Sequence, residues 1–220
     1  SAPGAFDDIE IALVMSHLAC ADEPGNPANE AQLKQFDRLR ALLPAAPASL
    51  ANSPGIFLGQ AYHFDLVRPG AALHGINPRP GQPNPLRQPI RLQAKIVQMR
   101  DILPGDGVGY GHAFHADKPM RIATISVGYG DGWPRRVVAA SWVDQVQLAF
   151  IGRVSMDSIV LDISALQDGL AVGDLVELIG PHQTVDDIAE LAGTIGYEIL
   201  TSLGRRFHRV YIDETPADRR

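Results

Sequence analysis

Short stretches of this chain place reactive side chains where a turn would expose them. Met15-Ser16-His17 sets an imidazole at the end of an apolar run. An imidazole titrates near neutrality, so it can take or pass on a proton; the plain alternative is a core histidine satisfied by backbone. Asn52-Ser53 precedes Pro54-Gly55 and offers a hydroxyl and a main-chain N–H, or simply a turn. Arg68-Pro69-Gly70-Ala71 adds a permanent cation and a glycine that lets main-chain N–H groups approach an anion closely. Three successive strand ends carrying His, Ser and Arg-x-Gly suggest one mouth of one barrel, where barrel enzymes hold phosphate. Further on, Gly109-Tyr110-Gly111 and Gly128-Tyr129-Gly130-Asp131-Gly132 set phenols between glycines. Gly152-Arg153-Val154-Ser155-Met156-Asp157 opens a strand with a polar turn. Each of these, taken singly, is also explained by a hairpin turn with a packed aromatic.

Other chemistries find little support. There is no GxxxxGK[ST] loop, and the alternating Gly105, Gly107, Gly109 and Gly111 lack both the GxGxxG spacing and a surrounding strand–helix unit. His112 and His115 are three apart with no Cys or further ligand nearby, so no metal site is expected.

The elements that must position these residues fall into two groups. Residues 9–20 end in an apolar run of strand length, as in a strand buried on both faces. Leu33, Phe36, Leu39, Leu42 and Leu43 recur at helical spacing over 29–43, with Asn29 as the expected N-cap and Pro44 as the stop. A short strand over 48–52, a helix over 56–63 and a third strand near Arg68 continue an α/β alternation to about residue 75. The stretch 77–89 carries five prolines and reads as a linker. Beyond it Ile90, Leu92, Ala94 and Ile96 alternate with Arg91, Gln93 and Lys95, a half-buried strand. Strands over about 120–128, 145–152, 154–163 and 174–180 follow, separated by Gly-rich turns, and suggest a small all-β barrel or sandwich. One helix interrupts at 185–195, opened by a Thr184/Asp187 capping box and closed at Gly196.

Composition agrees with a folded domain pair. The chain has 220 residues, 45% hydrophobic and 20% charged, which is globular and not disordered. Cys20 is the only cysteine, so no disulfide forms within the chain, and one thiol suits a reducing cytoplasm. No apolar run reaches the ~18 residues of a membrane helix, and Ser1-Ala2-Pro3-Gly4 has no basic n-region of a signal peptide. A net charge of −6 disfavours nucleic acid as a partner.

Taken together, the motifs resemble the pyridoxal-phosphate-dependent alanine racemase family. Met-Ser-His-Leu-Ala-Cys-Ala-Asp (15–22), Ala-Asn-Ser (51–53) and Val-Arg-Pro-Gly-Ala-Ala-Leu-His-Gly (67–75) are similar to its later barrel strands. Gly-Tyr-Gly (109–111), Val-Gly-Tyr-Gly-Asp-Gly (127–132), Gly-Arg-Val-Ser-Met-Asp (152–157) and Gly-Tyr-Glu-Ile-Leu (196–200) are similar to its C-terminal β domain. The seven occur in family order across nearly the whole chain.

The resemblance implies an α/β plus all-β chain: part of a (β/α)8 barrel over 1–76, a linker over 77–89, and a β domain over 90–220. It implies pyridoxal 5′-phosphate as cofactor and L-/D-alanine interconversion supplying peptidoglycan in the cytoplasm. Tyr110 matches the family's tyrosine base, with His17 and Arg68 forming a chain toward it. A phenol of pKa ~10 needs hydrogen bonds that favour its anion to act near neutrality. Arg68 would also face the pyridine nitrogen, and a guanidinium never gives up its proton there. Ser53, Gly70, Ala71 and Tyr197 match phosphate contacts. Met156 and Asp157 match positions near the substrate carboxylate, and Tyr129 one at the entrance. Family members are head-to-tail homodimers in which the β domain of one subunit meets the barrel of the other.

The departures are as specific. The family's cofactor lysine lies in its first barrel strand, upstream of every motif here, and Lys34, Lys95 and Lys118 do not match it. The resemblance therefore implies the C-terminal portion, a bit over half, of a racemase. His74 stands where the family often has tyrosine, and Ser155 where many members have cysteine or alanine. The competing expectations are a non-catalytic fragment or assembly module, and a racemase that also takes serine or lysine. A decarboxylase sharing the barrel fits less well, because Tyr110 together with Met156-Asp157 is not expected there.

Overall fold

The structure, a computed structural model, describes residues 6, 8–166 and 169–212. Residues 1–4, read above for a signal segment, and the outer ends of the assigned regions at 1 and 220 lie outside the described residues. The chain divides into two compact units, Ser1–Ile90 and Arg91–Arg220.

The first unit is a parallel β–α–β arrangement. Strand β1 (Val14–Met15) leads through helix α1 (Pro27–Arg40) to strand β2 (Ala48–Ser49), with Val14 beside Ala48 and Met15 beside Ser49. Helix α1 starts at Asn26, not Asn29: the Asn26 side chain accepts the Ala28 N–H at 3.0 Å, and Pro27 sits at the first helical position, where no donor is needed. Asn29 is buried inside the first turn and donates to the Glu23 carbonyl at 3.0 Å. The strand expected over 9–20 is regular only at Val14–Met15, because β2 alone supplies its ladder partner. Leu18, Ala21, Phe36, Ala48 and Leu50 form the core, with Phe36 edge-on to Phe64 at 5.0 Å. After β2 a four-residue helix, α2 (Ser53–Ile56), is capped by Asn52, and Asn52 bridges Arg68 in parallel.

The second unit is a closed antiparallel barrel. In chain order its strands are β3 (Leu92–Ile102), β4 (Gly107–Val108), β5 (Phe114–His115), β6 (Met120–Ile125), β7 (Ala140–Val143), β8 (Val146–Ile151), β9 (Ile159–Asp162) and β10 (Leu175–Ile179). The barrel order is β10-β3-β6-β9-β8-β7, while β4 and β5 form a separate hairpin. The two-residue period of β3 holds: Leu92, Ala94 and Ile96 are buried and Gln93 and Lys95 exposed. A register shift between Ile96 and Gln98 then breaks the alternation and leaves Gln98 exposed where the period would bury it. Helix α3 (Val185–Ala192) carries the expected Thr184/Asp187 box. Its cap is Gly193 at φ 68°, not Gly196, which instead opens helix α4 (Gly196–Ser202). Among the described residues no helix is long and apolar enough to cross a membrane.

Candidate active site

Parallel strands end on one side, and the first unit uses those ends to gather polar groups. Arg68 donates from Nη1 to Ser49 Oγ at 2.6 Å, and from Nη2 to the Ser16 carbonyl at 2.7 Å and the Leu50 carbonyl at 3.4 Å. Its Nη2 also lies 3.4 Å from His17 Nδ1. Ser49 is fully buried and passes its own proton to the Leu66 carbonyl at 2.7 Å. Three oxygen acceptors thus fix the plane of one guanidinium, which a lysine's point charge would not allow. On the other side of the imidazole, Asn52 Nδ2 lies 3.2 Å from His17 Nε2, while Asn52 Oδ1 accepts the Gly55 N–H at 3.0 Å. Capping and imidazole placement are therefore one residue's work.

Ser53 is buried, and its Oγ accepts the Ala72 N–H at 3.0 Å, which leaves the hydroxyl proton unspent. The Ala71 N–H has no partner among the described residues, and a Cβ on Gly70 would meet nothing within 4 Å. One hydroxyl, one main-chain N–H and an open glycine make a small cradle for an anion such as a phosphate. The first unit thus unites His17, Ser53, Arg68, Gly70 and Ala71.

The second unit unites a different set. Tyr110 stands 71% exposed on a short turn between Gly109 (φ 74°) and Gly111 (φ 67°). Positive φ at both neighbours is what lifts the ring off the surface, and glycine adopts it without strain. Gly109, Tyr110, Ser155, Met156, Asp157 and Ser158 line one cavity of about 420 Å³. Tyr129 is exposed, its N–H donating to the Ser155 carbonyl at 3.0 Å, and the Arg135 guanidinium lies 5.9 Å from its ring centre. Tyr197 is exposed on α4 in this second unit.

Two participants carried no mark in the sequence analysis, and a third only an indirect one. Ser49 is one serine inside an apolar strand. Arg206 is one of two adjacent arginines, yet it alone is paired with both Asp131 and Asp157, at 3.2 and 2.7 Å. Asp131 was visible only as part of a Gly-Asp-Gly turn.

Comparison with known proteins follows the same division. Residues 89–211 match the family model for the alanine racemase C-terminal domain, and residues 2–78 that for the alanine racemase N-terminal domain. A catabolic alanine racemase of Mesorhizobium japonicum is 66% identical over 209 residues, 94% of this chain and 55% of that protein. An alanine racemase of Brucella suis is 49% identical over 220 residues, 93% of this chain and 56% of that protein. The crystal structure of the Bartonella henselae alanine racemase with covalently bound pyridoxal phosphate superimposes with a TM-score of 0.88 at 43% identity, over 96% of this chain and 59% of that one. The chain therefore spans just over half the length of the relatives it matches.

Proposed function

The chain belongs to the alanine racemase family, and from that premise we propose that the protein carrying it interconverts L- and D-alanine with Tyr110 as one of two bases. The observation that carries the reading is the locked Arg68 guanidinium beside His17, next to an anion cradle at Ser53 and Ala71. Those residues fit pyridoxal phosphate: Ser53, Gly70 and Ala71 for its phosphate, Arg68 for its ring nitrogen, and Tyr197 as a further phosphate contact. When bound, the cofactor supplies an electron sink for the substrate's α-carbon.

The chain's own residues do the rest. A guanidinium does not act as an acid, so Arg68 orients a ring nitrogen without protonating it. Tyr110 Oη takes or gives the α-proton, and His17 relays the Arg68 charge toward the tyrosine that the second subunit supplies. Met156 and Asp157 receive the substrate carboxylate, and Tyr129 guards the approach. We read residues 1–76 as barrel, 77–89 as linker and 90–220 as β domain, working as a head-to-tail homodimer. Two relatives are named catabolic, so the reaction is written in both directions: D-alanine made for peptidoglycan or consumed, in the cytoplasm.

A second reading, an assembly module without turnover of its own, draws on the chain's three lysines. Lys34 is tied to Glu30 at 2.6 Å on α1, and Lys95 and Lys118 are exposed. The deciding experiment is an alanine racemisation assay on a full-length racemase carrying this chain. Tyr110→Phe is expected to lower the rate by at least about a hundredfold, the size of one proton-transfer group. Undiminished turnover in that variant would remove Tyr110 from the mechanism. Turnover by the 220-residue chain itself would exclude the module reading.

A further inference from the structure

Two segments of the second unit converge on the guanidinium of a third, at Arg206. Arg206 Nη2 lies 2.7 Å from Asp157 Oδ1, and Nε lies 3.2 Å from Asp131 Oδ1. Asp131 is buried, and its other oxygen accepts the Gly128 N–H at 2.9 Å, so Arg206 is tied to the tyrosine loop as well as to the 155–157 turn. The Gly204 N–H donates to the Asp131 carbonyl at 3.0 Å, which anchors the segment bearing Arg206 to the same loop.

The loop and the turn are also joined directly. The Tyr129 N–H donates to the Ser155 carbonyl at 3.0 Å and the Gly130 N–H to the Met156 carbonyl at 2.8 Å. There is no room for slack: a Cβ on Gly128 would sit 2.3 Å from the Ser155 carbonyl, and one on Gly130 would sit 3.0 Å from both Arg206 Nη1 and the Met156 carbonyl. With the carbonyls of the turn so engaged, the N–H groups of Met156 and Asp157 have no partner among the described residues. Both residues line the cavity that holds Tyr110.

We propose that Arg206 is a positioning residue for substrate: by tying Asp157 to Asp131 it fixes the 155–157 turn so that its main-chain N–H groups meet a carboxylate. This rests on the racemase reading above. Arg206 also neutralises one oxygen of Asp157, a charge that would otherwise repel a carboxylate arriving at the same turn. The hydrogen bond to Asp157 first, and then the charge of Asp131, raise the Arg206 guanidinium pKa above its ordinary value.

The test uses a full-length racemase carrying this chain, with R206Q, R206K, D157N and the R206Q/D157N pair. R206Q is expected to raise KM for alanine about tenfold with kcat within about threefold, and R206K to recover part of the loss. The pair is expected to be no worse than R206Q alone, because both changes cut one contact. Amide hydrogen exchange gives a readout without turnover: Tyr129 and Gly130 should exchange about tenfold faster in R206Q while the β6 amides stay as they were. Acetate, the carboxylate probe, should slow exchange at Met156 and Asp157 in the parent protein and lose that effect in R206Q. Unchanged KM and exchange in R206Q would overturn the assignment, as would a lowered Tm with KM intact. A parent protein without racemase activity would sink the functional reading, and acetate protection lost in R206Q would still establish the clamp.

Discussion

Ser49 decides how Arg68 can be used. Its hydroxyl accepts from the guanidinium and donates to the Leu66 carbonyl, and the side chain is fully buried. Removing it leaves the part-buried Leu66 carbonyl and one guanidinium N–H without partners, at about 1 kcal/mol, the low end for an unsatisfied group that water can partly reach. Ser49→Ala is therefore expected to lower the urea midpoint and to weaken racemisation, while Ser49→Cys keeps the volume but not the strong acceptor and falls in the same direction. A wild-type midpoint in Ser49→Ala would mean that water replaces the hydroxyl. His17, Ser53 and Arg68 were legible because polar residues at the ends of apolar strands are costly without a task. Ser49 was not: nothing in a serine between two apolar residues says which charge it serves. Arg206 was hidden for the opposite reason, in a segment where Arg205 looks the same.

Elements set the tolerance around those residues. Gly132 holds φ at 101°, and a Cβ there would sit 1.9 Å from the Ser202 carbonyl. Gly132→Ala thus meets backbone and strain together, and is expected to unfold the 128–132 loop and release Tyr129, read as loss of protection at the Tyr129 and Gly130 amides. The Thr184/Asp187 box is milder. Thr184→Ala is expected to cost about 1 kcal/mol by denaturant melting, as for other lost N-caps. On α1 the Lys34 ammonium, through its hydrogen bond and then its charge, holds the Glu30 carboxyl below its ordinary 4.5. A lowered carboxyl contributes stability above its unfolded pKa, and that contribution is lost as pH falls through the folded value. Glu30→Gln should accordingly flatten the acid limb of a pH–stability curve slightly, and added salt should mask the difference. The helix expected over 56–63 is only the end of α2 and a 3-10 turn at Gln60–Tyr62, but most element types were legible from periodicity and turn residues. Their ends were less so, because a first-position proline moved one cap to Asn26 and a second helix claimed Gly196.

At the scale of the molecule, the alternation of β3 and the Gly-rich turns announced a β domain, but closure did not show. It rests on one residue pair between β10 and β7, Glu177 opposite Trp142, and shear and twist set that meeting, not residue type. The proposed residues divide between the units: His17, Ser53 and Arg68 in Ser1–Ile90, Tyr110 and Met156 in Arg91–Arg220. If each working site takes its barrel from one subunit and its β domain from the other, two inactive variants should repair each other. Tyr110→Phe and Arg68→Ala subunits of a full-length racemase carrying this chain, refolded together, would give half mixed dimers, each with one intact site of two. Racemase activity should return to about a quarter of the parent value, from subunits that each give little alone. A site completed within one chain gives no recovery at any mixing ratio, because every such site keeps one of the two lesions. The same mixture separates the second reading: a module without chemistry of its own gives no recovery with either partner, yet still forms mixed dimers on a native gel.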